Sequence, residues 1–86
     1  MTSLAHDSNR RRILLVDDDP TLRETLAEQL GFHEEYTVSE AENGSEAMKL
    51  ADADHFDAII LDVGLPDMDG RDLCKLMRRR GLKAPI

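Results

Sequence analysis

Two runs of unbroken apolar residues, Ile13-Leu14-Leu15-Val16 and Ala58-Ile59-Ile60-Leu61, each stop abruptly at aspartate. Short continuous runs of this kind belong to parallel strands covered on both faces. They predict β1 over Arg12–Val16 and β3 over Ala58–Asp62. After β1 the period changes. Leu22, Leu26 and Leu30 recur at helical spacing behind Asp19-Pro20, a capping acid followed by a residue with no amide hydrogen to leave unpaired. This predicts α1 over Pro20–Leu30, with its leucines on one stripe and Gly31 as a left-handed terminator. Residues 32–35 connect to Tyr36–Ala41, which alternates as a strand with one less buried face and predicts β2 at the sheet edge.

Asn43-Gly44-Ser45-Glu46 offers a capping box, with Asn43 as cap and Glu46 three residues later. It opens α2 over Gly44–Ala53, whose apolar face is Ala47, Met48, Leu50 and Ala51, with Met48 as core filler. Beyond β3 a loop of turn-forming residues leads to Asp69 as the cap of α3. Asp72 then lies near the positive end of the helix dipole, and Met68 is placed to pack on Leu73 as a hydrophobic staple. Leu73, Leu76 and Met77 form the inward stripe. Arg78-Arg79-Arg80 fills the last turn, where cations suit the dipole, and Gly81 ends the helix. The final Lys83-Ala84-Pro85-Ile86 resembles the entry to a fourth strand.

The order βαβαβα predicts an α/β fold with a parallel sheet of strand order 2-1-3 and right-handed crossovers. Ligands of such sheets bind at the carboxyl ends of the strands, at the switch point between strands 1 and 3. Residues 1–10, mostly polar and without period, are expected to be a disordered tail, and residues 11–86 a single domain. If β1 and β3 are parallel neighbours, Asp17, Asp18 and Asp62 converge. Three carboxylates in one partly buried pocket repel unless a cation or proton intervenes. A hard divalent ion such as Mg²⁺, held by oxygen ligands, is the natural occupant.

Val16-Asp17-Asp18-Asp19-Pro20, followed about forty residues later by Leu61-Asp62-Val63-Gly64-Leu65-Pro66-Asp67-Met68-Asp69-Gly70, resembles the receiver domain of bacterial two-component response regulators. Each motif alone is weak, because acids after apolar runs are common. Together, in order and joined by a strand-and-helix pattern, they are specific, and the resemblance spans about residues 11–86. It implies a flavodoxin-like receiver fold in which Asp62 accepts a phosphoryl group from the phosphohistidine of a sensor histidine kinase or a histidine phosphotransfer protein. It also implies that Asp17 and Asp18, with Asp62, hold Mg²⁺, and that the main-chain carbonyl of Gly64 is a further ligand. The chain's own chemistry would then be phosphotransfer and autodephosphorylation only, not that of an enzyme acting on a separate substrate.

Two departures from the family matter. Some relatives carry a polar or bulkier side chain where Gly64 stands, so here the side chain is expected to give no control over dephosphorylation. Receiver domains also continue through strands 4 and 5 and helices 4 and 5, which carry a Ser or Thr, an aromatic switch residue and a Lys. None of these is located here, and Lys75 and Lys83 lie in the wrong elements to be that lysine. The expected fold is therefore partial. An apolar flank of β3 and the inner faces of α1 and α3 would stand uncovered, which favours self-association through that sheet edge.

Composition narrows the partners. Eighty-six residues make one domain at most. A net charge of -7 with a pI near 4.8 argues against direct contact with nucleic acid, which needs a basic surface. Arg10-Arg11-Arg12 is then a solvated flank or a counter-charge to nearby acids. The one cysteine, Cys74, forms no internal disulfide, so a reducing cytoplasm is the expected home. No apolar run approaches the roughly 18 residues of a membrane span, and the first residues lack a signal-peptide core.

Three other readings compete with this one. A Mg²⁺-dependent phosphohydrolase with Asp62 as nucleophile would need a general acid and a cap, for which so short a chain has no room. A module that docks without phosphorylation is compatible with the same residues. A calcium loop around Asp67-Met68-Asp69-Gly70 would put its first ligand on Leu65, which cannot coordinate. His6, His33 and His55 lack ligand spacing and take no role.

Overall fold

β1 (Arg11–Val16) is the centre of a three-stranded parallel sheet of order β2-β1-β3, and its apolar run is covered on both sides. Ile13, Leu14, Leu15 and Val16 are all buried. A computed structural model describes residues 10–86, and the expected tail therefore lies almost entirely outside the described residues. β2 (Tyr36–Ala41) pairs with β1 from Arg11↔Tyr36 to Val16↔Ala41, and β3 (Ala58–Leu61) pairs on the other side from Ile13↔Ala58 to Val16↔Leu61. Asp62 follows the last paired residue of β3, and its amide still donates to the Val16 carbonyl at 3.0 Å.

The two faces of the sheet are covered unequally. Leu14, Val16 and Ile59 point to the face occupied by α2 (Gly44–Ala53) and α3 (Gly70–Arg79), and share one core with Ala47, Ala51, Phe56, Leu73 and Met77. Leu73 and Met77 are fully buried, so the inner face of α3 is covered, contrary to the expectation that it would stand open. The opposite face carries only α1 (Pro20–Gly31), whose leucine stripe is left largely uncovered: α1 has no buried residue, and Leu22 is 48% exposed. The physical reason lies across the sheet. Ile60, which belongs to that face, is itself 45% exposed, and a groove runs between it and Leu26, Leu30, His33 and Tyr36. The uncovered flank expected for β3 and α1 is thus present.

Helix ends follow local chemistry. Asp19 caps α1 by accepting from the amides of Thr21 and Leu22. Gly31 is not a left-handed terminator; it lies inside the helix, and the amide of Phe32 closes the last turn on Glu28 and Gln29. Gly81 does adopt the left-handed conformation, with φ 90°. The Leu82 amide reaches back to Met77 and that of Gly81 to Arg78, the paired bonds of a Schellman ending, while Leu82 packs on the core. Arg78 donates to the carbonyls of Leu82 and Ala84, and Arg80 pairs with Asp52, so the arginine run ties α3 to its surroundings as well as suiting the dipole. At the other run, Arg12 pairs with Asp54 at 3.5 Å and lies over the Phe56 ring. The Pro85 carbonyl accepts from Ile59 at 2.9 Å, as the entry to a fourth strand beside β3 would.

The two glycines at 31 and 70 should answer oppositely to a methyl group. A Cβ at Gly70 would overlap the Asp62 carbonyl oxygen and meet Val63 Cα at 2.9 Å, both rigid backbone, whereas at Gly31 nothing lies within 4 Å. Gly70→Ala is expected to lower stability by about 1–3 kcal/mol. Gly31→Ala, at a helical position, should raise it by about 0.5–1 kcal/mol. Urea unfolding of both variants measures the contrast.

Candidate functional site

The site is built where β1 and β3 end side by side. Because Val16 stands opposite Leu61, the next residues, Asp17 and Asp62, leave the sheet at the same level. Asp17 is 8% exposed, the one buried charged residue described; Asp18 is exposed and Asp62 half-buried. One carboxylate oxygen of each of Asp17, Asp18 and Asp62 lies within 4.8 Å of the other two, so the expected convergence is realised.

The surrounding hydrogen bonds hold this arrangement by the backbone. The Asp17 amide donates to Ala41 at 3.0 Å, and its Oδ1 accepts from the Asp19 amide at 2.9 Å. Arg23 donates through Nη1 to the Asp17 carbonyl at 2.8 Å and through Nε to Glu40 at 3.1 Å, bracing the end of β1 against β2. Sequence reasoning passed over Arg23, since a lone arginine on a helix carries no signal of its partners. Among the described residues no lysine or arginine donates to the three converging carboxylates. An all-oxygen set with no competing cation fits a hard divalent ion, and Mg²⁺ suits it better than a thiophilic metal.

The loop after Asp62 is tied down at three places. At its neck Gly64 and Asp69 form an antiparallel bridge, the Gly70 amide donates to Val63 at 2.8 Å, and Gly70 packs directly on the Asp62 backbone. Leu65 is buried in the core. At its tip Asp67 accepts from the amides of Gly44 at 2.8 Å and Ser45 at 2.9 Å, the first two of α2. Those two amides, Gly44 first, hold the Asp67 carboxyl below its ordinary range. Asp69 caps α3 through the Arg71 amide and takes two further bonds from the Arg71 guanidinium. The Arg71 side chain is the larger cause and its amide the next in bringing Asp69 down to about 2.

Position 64 borders Asp62 directly. A side chain there would place its Cβ 3.9 Å from Asp62 Oδ2, with no other atom within 4 Å, so the glycine leaves that approach open. The capping box at α2 is only half formed: Asn43 accepts from Glu46, but the Glu46 side chain returns to the Glu42 amide at 3.2 Å and not to that of Asn43. Asp67 accepts instead from the next two amides, those of Gly44 and Ser45. His33 stands exposed against the Tyr36 ring and His55 beside Asp57, both away from the converging carboxylates.

The profile of the response regulator receiver domain matches residues 13–86. The chain belongs to that family. This receiver domain is 44% identical over 75 residues to the response regulator MprA of Mycolicibacterium vanbaalenii, which covers 87% of the present chain and 32% of MprA. It spans, that is, about a third of the curated relatives it matches. Among solved structures, Thermotoga maritima TrrA in complex with Mg²⁺-BeF superposes with a TM-score of 0.77 at 39% identity, covering 83% of this chain and 61% of that one. TrrA in complex with the histidine kinase ThkA gives 0.79 at 39% identity, over 86% and 63%. These likenesses establish the partial receiver fold with strands in the order 2-1-3. Among the described residues no helix is long and apolar enough to cross a membrane.

Three converging carboxylates cost the fold electrostatic free energy, and that cost is measurable. Asp62→Asn removes one of the three charges and is expected to raise stability in metal-free buffer by about 1 kcal/mol, a rise of about 4–8 °C in Tm for a domain of this size. Millimolar Mg²⁺ should stabilise the wild type more than the variant and so narrow the gap. Thermal melts of both proteins with EDTA and with Mg²⁺ test this.

Proposed function

We propose that this receiver domain works in two-component signalling by accepting a phosphoryl group on Asp62 from a phosphohistidine of a sensor kinase or phosphotransfer protein. The observation that carries the reading is the meeting of Asp17, Asp18 and Asp62 within 4.8 Å at the carboxyl ends of two paired parallel strands. A carboxylate oxygen of Asp62 attacks phosphorus, the bond from phosphorus to the imidazole nitrogen breaks, and the nitrogen leaves with its electron pair, giving an acyl phosphate on Asp62. Asp17 and Asp18, with Asp62 and the Gly64 main-chain carbonyl, would hold Mg²⁺. When bound, the ion offsets the negative charge of the transferring group, and catalysis of phosphoryl transfer depends mainly on such positioning and electrostatics.

The kinase complex of TrrA, a 39% identical relative, supports a histidine kinase as partner, and the Mg²⁺-BeF complex supports the metal. A cytoplasmic location follows from such a partner. The open groove beside Ile60 and α1 offers an apolar surface for self-association.

The direct test is intact mass after incubation with a small phosphodonor and Mg²⁺. The wild type should gain one phosphoryl adduct that Asp62→Asn lacks; an adduct that persists on the variant, or none on either chain, refutes the assignment. The open approach at Gly64 adds a second expectation. Gly64→Asn places atoms beside Asp62 Oδ2 and should lengthen the half-life of the adduct, followed by the same mass measurement over time; an unchanged half-life would show that position 64 gives no control.

A further inference from the structure

We infer that Asp67 is a positioning residue of the metal and phosphoacceptor pocket, holding the Gly64 backbone in place by anchoring the tip of the β3–α3 loop to the first turn of α2. The inference rests on the function proposed above and goes further, because Asp67 touches none of Asp17, Asp18 or Asp62 and acts at a distance through the loop.

The loop's construction supports it. Residues 63–69 leave and rejoin the protein at a neck closed by the Gly64–Asp69 bridge and the bond from Gly70 to Val63. The bond that closes the neck is made by Val63 and Gly70, so Gly64 moves with the loop body, which a neck alone leaves free to hinge. Leu65 pins one side in the core, and Asp67 pins the far end across 23 residues of sequence by two bonds of 2.8 and 2.9 Å. Bonds from backbone amides to a carboxylate are charge-assisted and directional, so this pair resists both translation and rotation of the tip. The fit is close on the other side too: Met68 lies directly against Gly44, where a Cβ would meet its sulfur at 2.6 Å. With the body of the loop held against α2, the Gly64 backbone stays beside Asp62 Oδ2.

A mere helix cap would behave differently. The next free amide of α2, that of Glu46, is capped by Asn43, which belongs to α2's own lead-in and has no bond to the loop. Asn43→Ala and Asp67→Ala therefore both remove caps from one helix, but only the second releases the loop. Residues that orient metal ligands from behind commonly change affinity by about 10–100-fold when removed.

The experiment is calorimetric titration of the 86-residue chain with Mg²⁺, together with amide hydrogen exchange at Gly64 and Leu65. Asp67→Ala is expected to raise the Mg²⁺ Kd about tenfold or more and to speed exchange at both amides. Asn43→Ala should leave both at the wild-type values while lowering α2 stability. Asp67→Asn, with one carbonyl oxygen in place of two, keeps at most one of the two bonds and should fall between. A folded Asp67→Ala with wild-type Kd and exchange, or an Asn43→Ala that raises Kd equally, overturns the inference. If Asp67→Ala does not fold, an unchanged Kd in Asp67→Asn overturns it instead. Wild type that binds Mg²⁺ but takes no phosphoryl adduct refutes the proposed function alone, with Asp67 still judged by Kd; wild type that binds no Mg²⁺ refutes both.

Discussion

The parallel pairing of β1 with β3 is the constraint from which the site follows. Once Val16 lies opposite Leu61 and the Asp62 amide continues the ladder to Val16, residues 17 and 62 have no choice but to emerge together. The register is enforced by burial. A slip of one residue would turn Leu14, Val16 and Ile59 from the dry face to the open one and reverse every side chain of the strand. Carboxylates that repel are thus pressed together by apolar side chains a few ångströms below them, and the free energy that assembles the site comes from the core and not from the site.

That core is lopsided, and the lopsidedness bears on where precision can be expected. On the face of α2 and α3 the packing is complete, with Leu73 and Met77 wholly buried. On the face of α1, Leu22 and Ile60 remain about half exposed. The loop after Asp62 runs over the well-packed face and is tied to it by Leu65, Gly70 and Asp67. Asp17 and Asp18 instead introduce α1, the less buried helix, but Asp17 is fixed by its amide on the Ala41 carbonyl and by the Arg23 guanidinium on its own carbonyl. Both halves of the pocket are therefore held, one by packing and one by hydrogen bonds.

The sequence made the elements legible because their signals are local. Apolar runs marked β1 and β3, Asp19-Pro20 and Asp69 marked helix starts, and Gly81 marked a helix end, and all stand as read. The convergence of Asp17, Asp18 and Asp62 was legible too, since strand order and strand ends suffice to derive it. What escaped was set by partners distant in sequence. Gly31 had the right residue type for a terminator, but nothing in the type says that the helix will run one residue further and close on Phe32. Asp67 looked like one more turn residue, because its partners, the amides of Gly44 and Ser45, carry no side-chain signature at all.

The acids around this pole of the molecule separate into two kinds, and the separation locates the chemistry better than their number does. Asp19 is satisfied by two amides of α1, Asp67 by two of α2, and Asp69 by the amide and guanidinium of Arg71. Each has its charge met by the protein, and the lowered proton affinities of Asp67 and Asp69 follow from that. Asp17 receives a single amide, and among the described residues the carboxylates of Asp18 and Asp62 receive no hydrogen bond. A fold able to supply seven donors to three neighbouring acids supplies one to the three that converge. The unmet charge at the ends of β1 and β3 is the part of the electrostatics left for something outside the chain, and an all-oxygen set of this kind suits a hard cation.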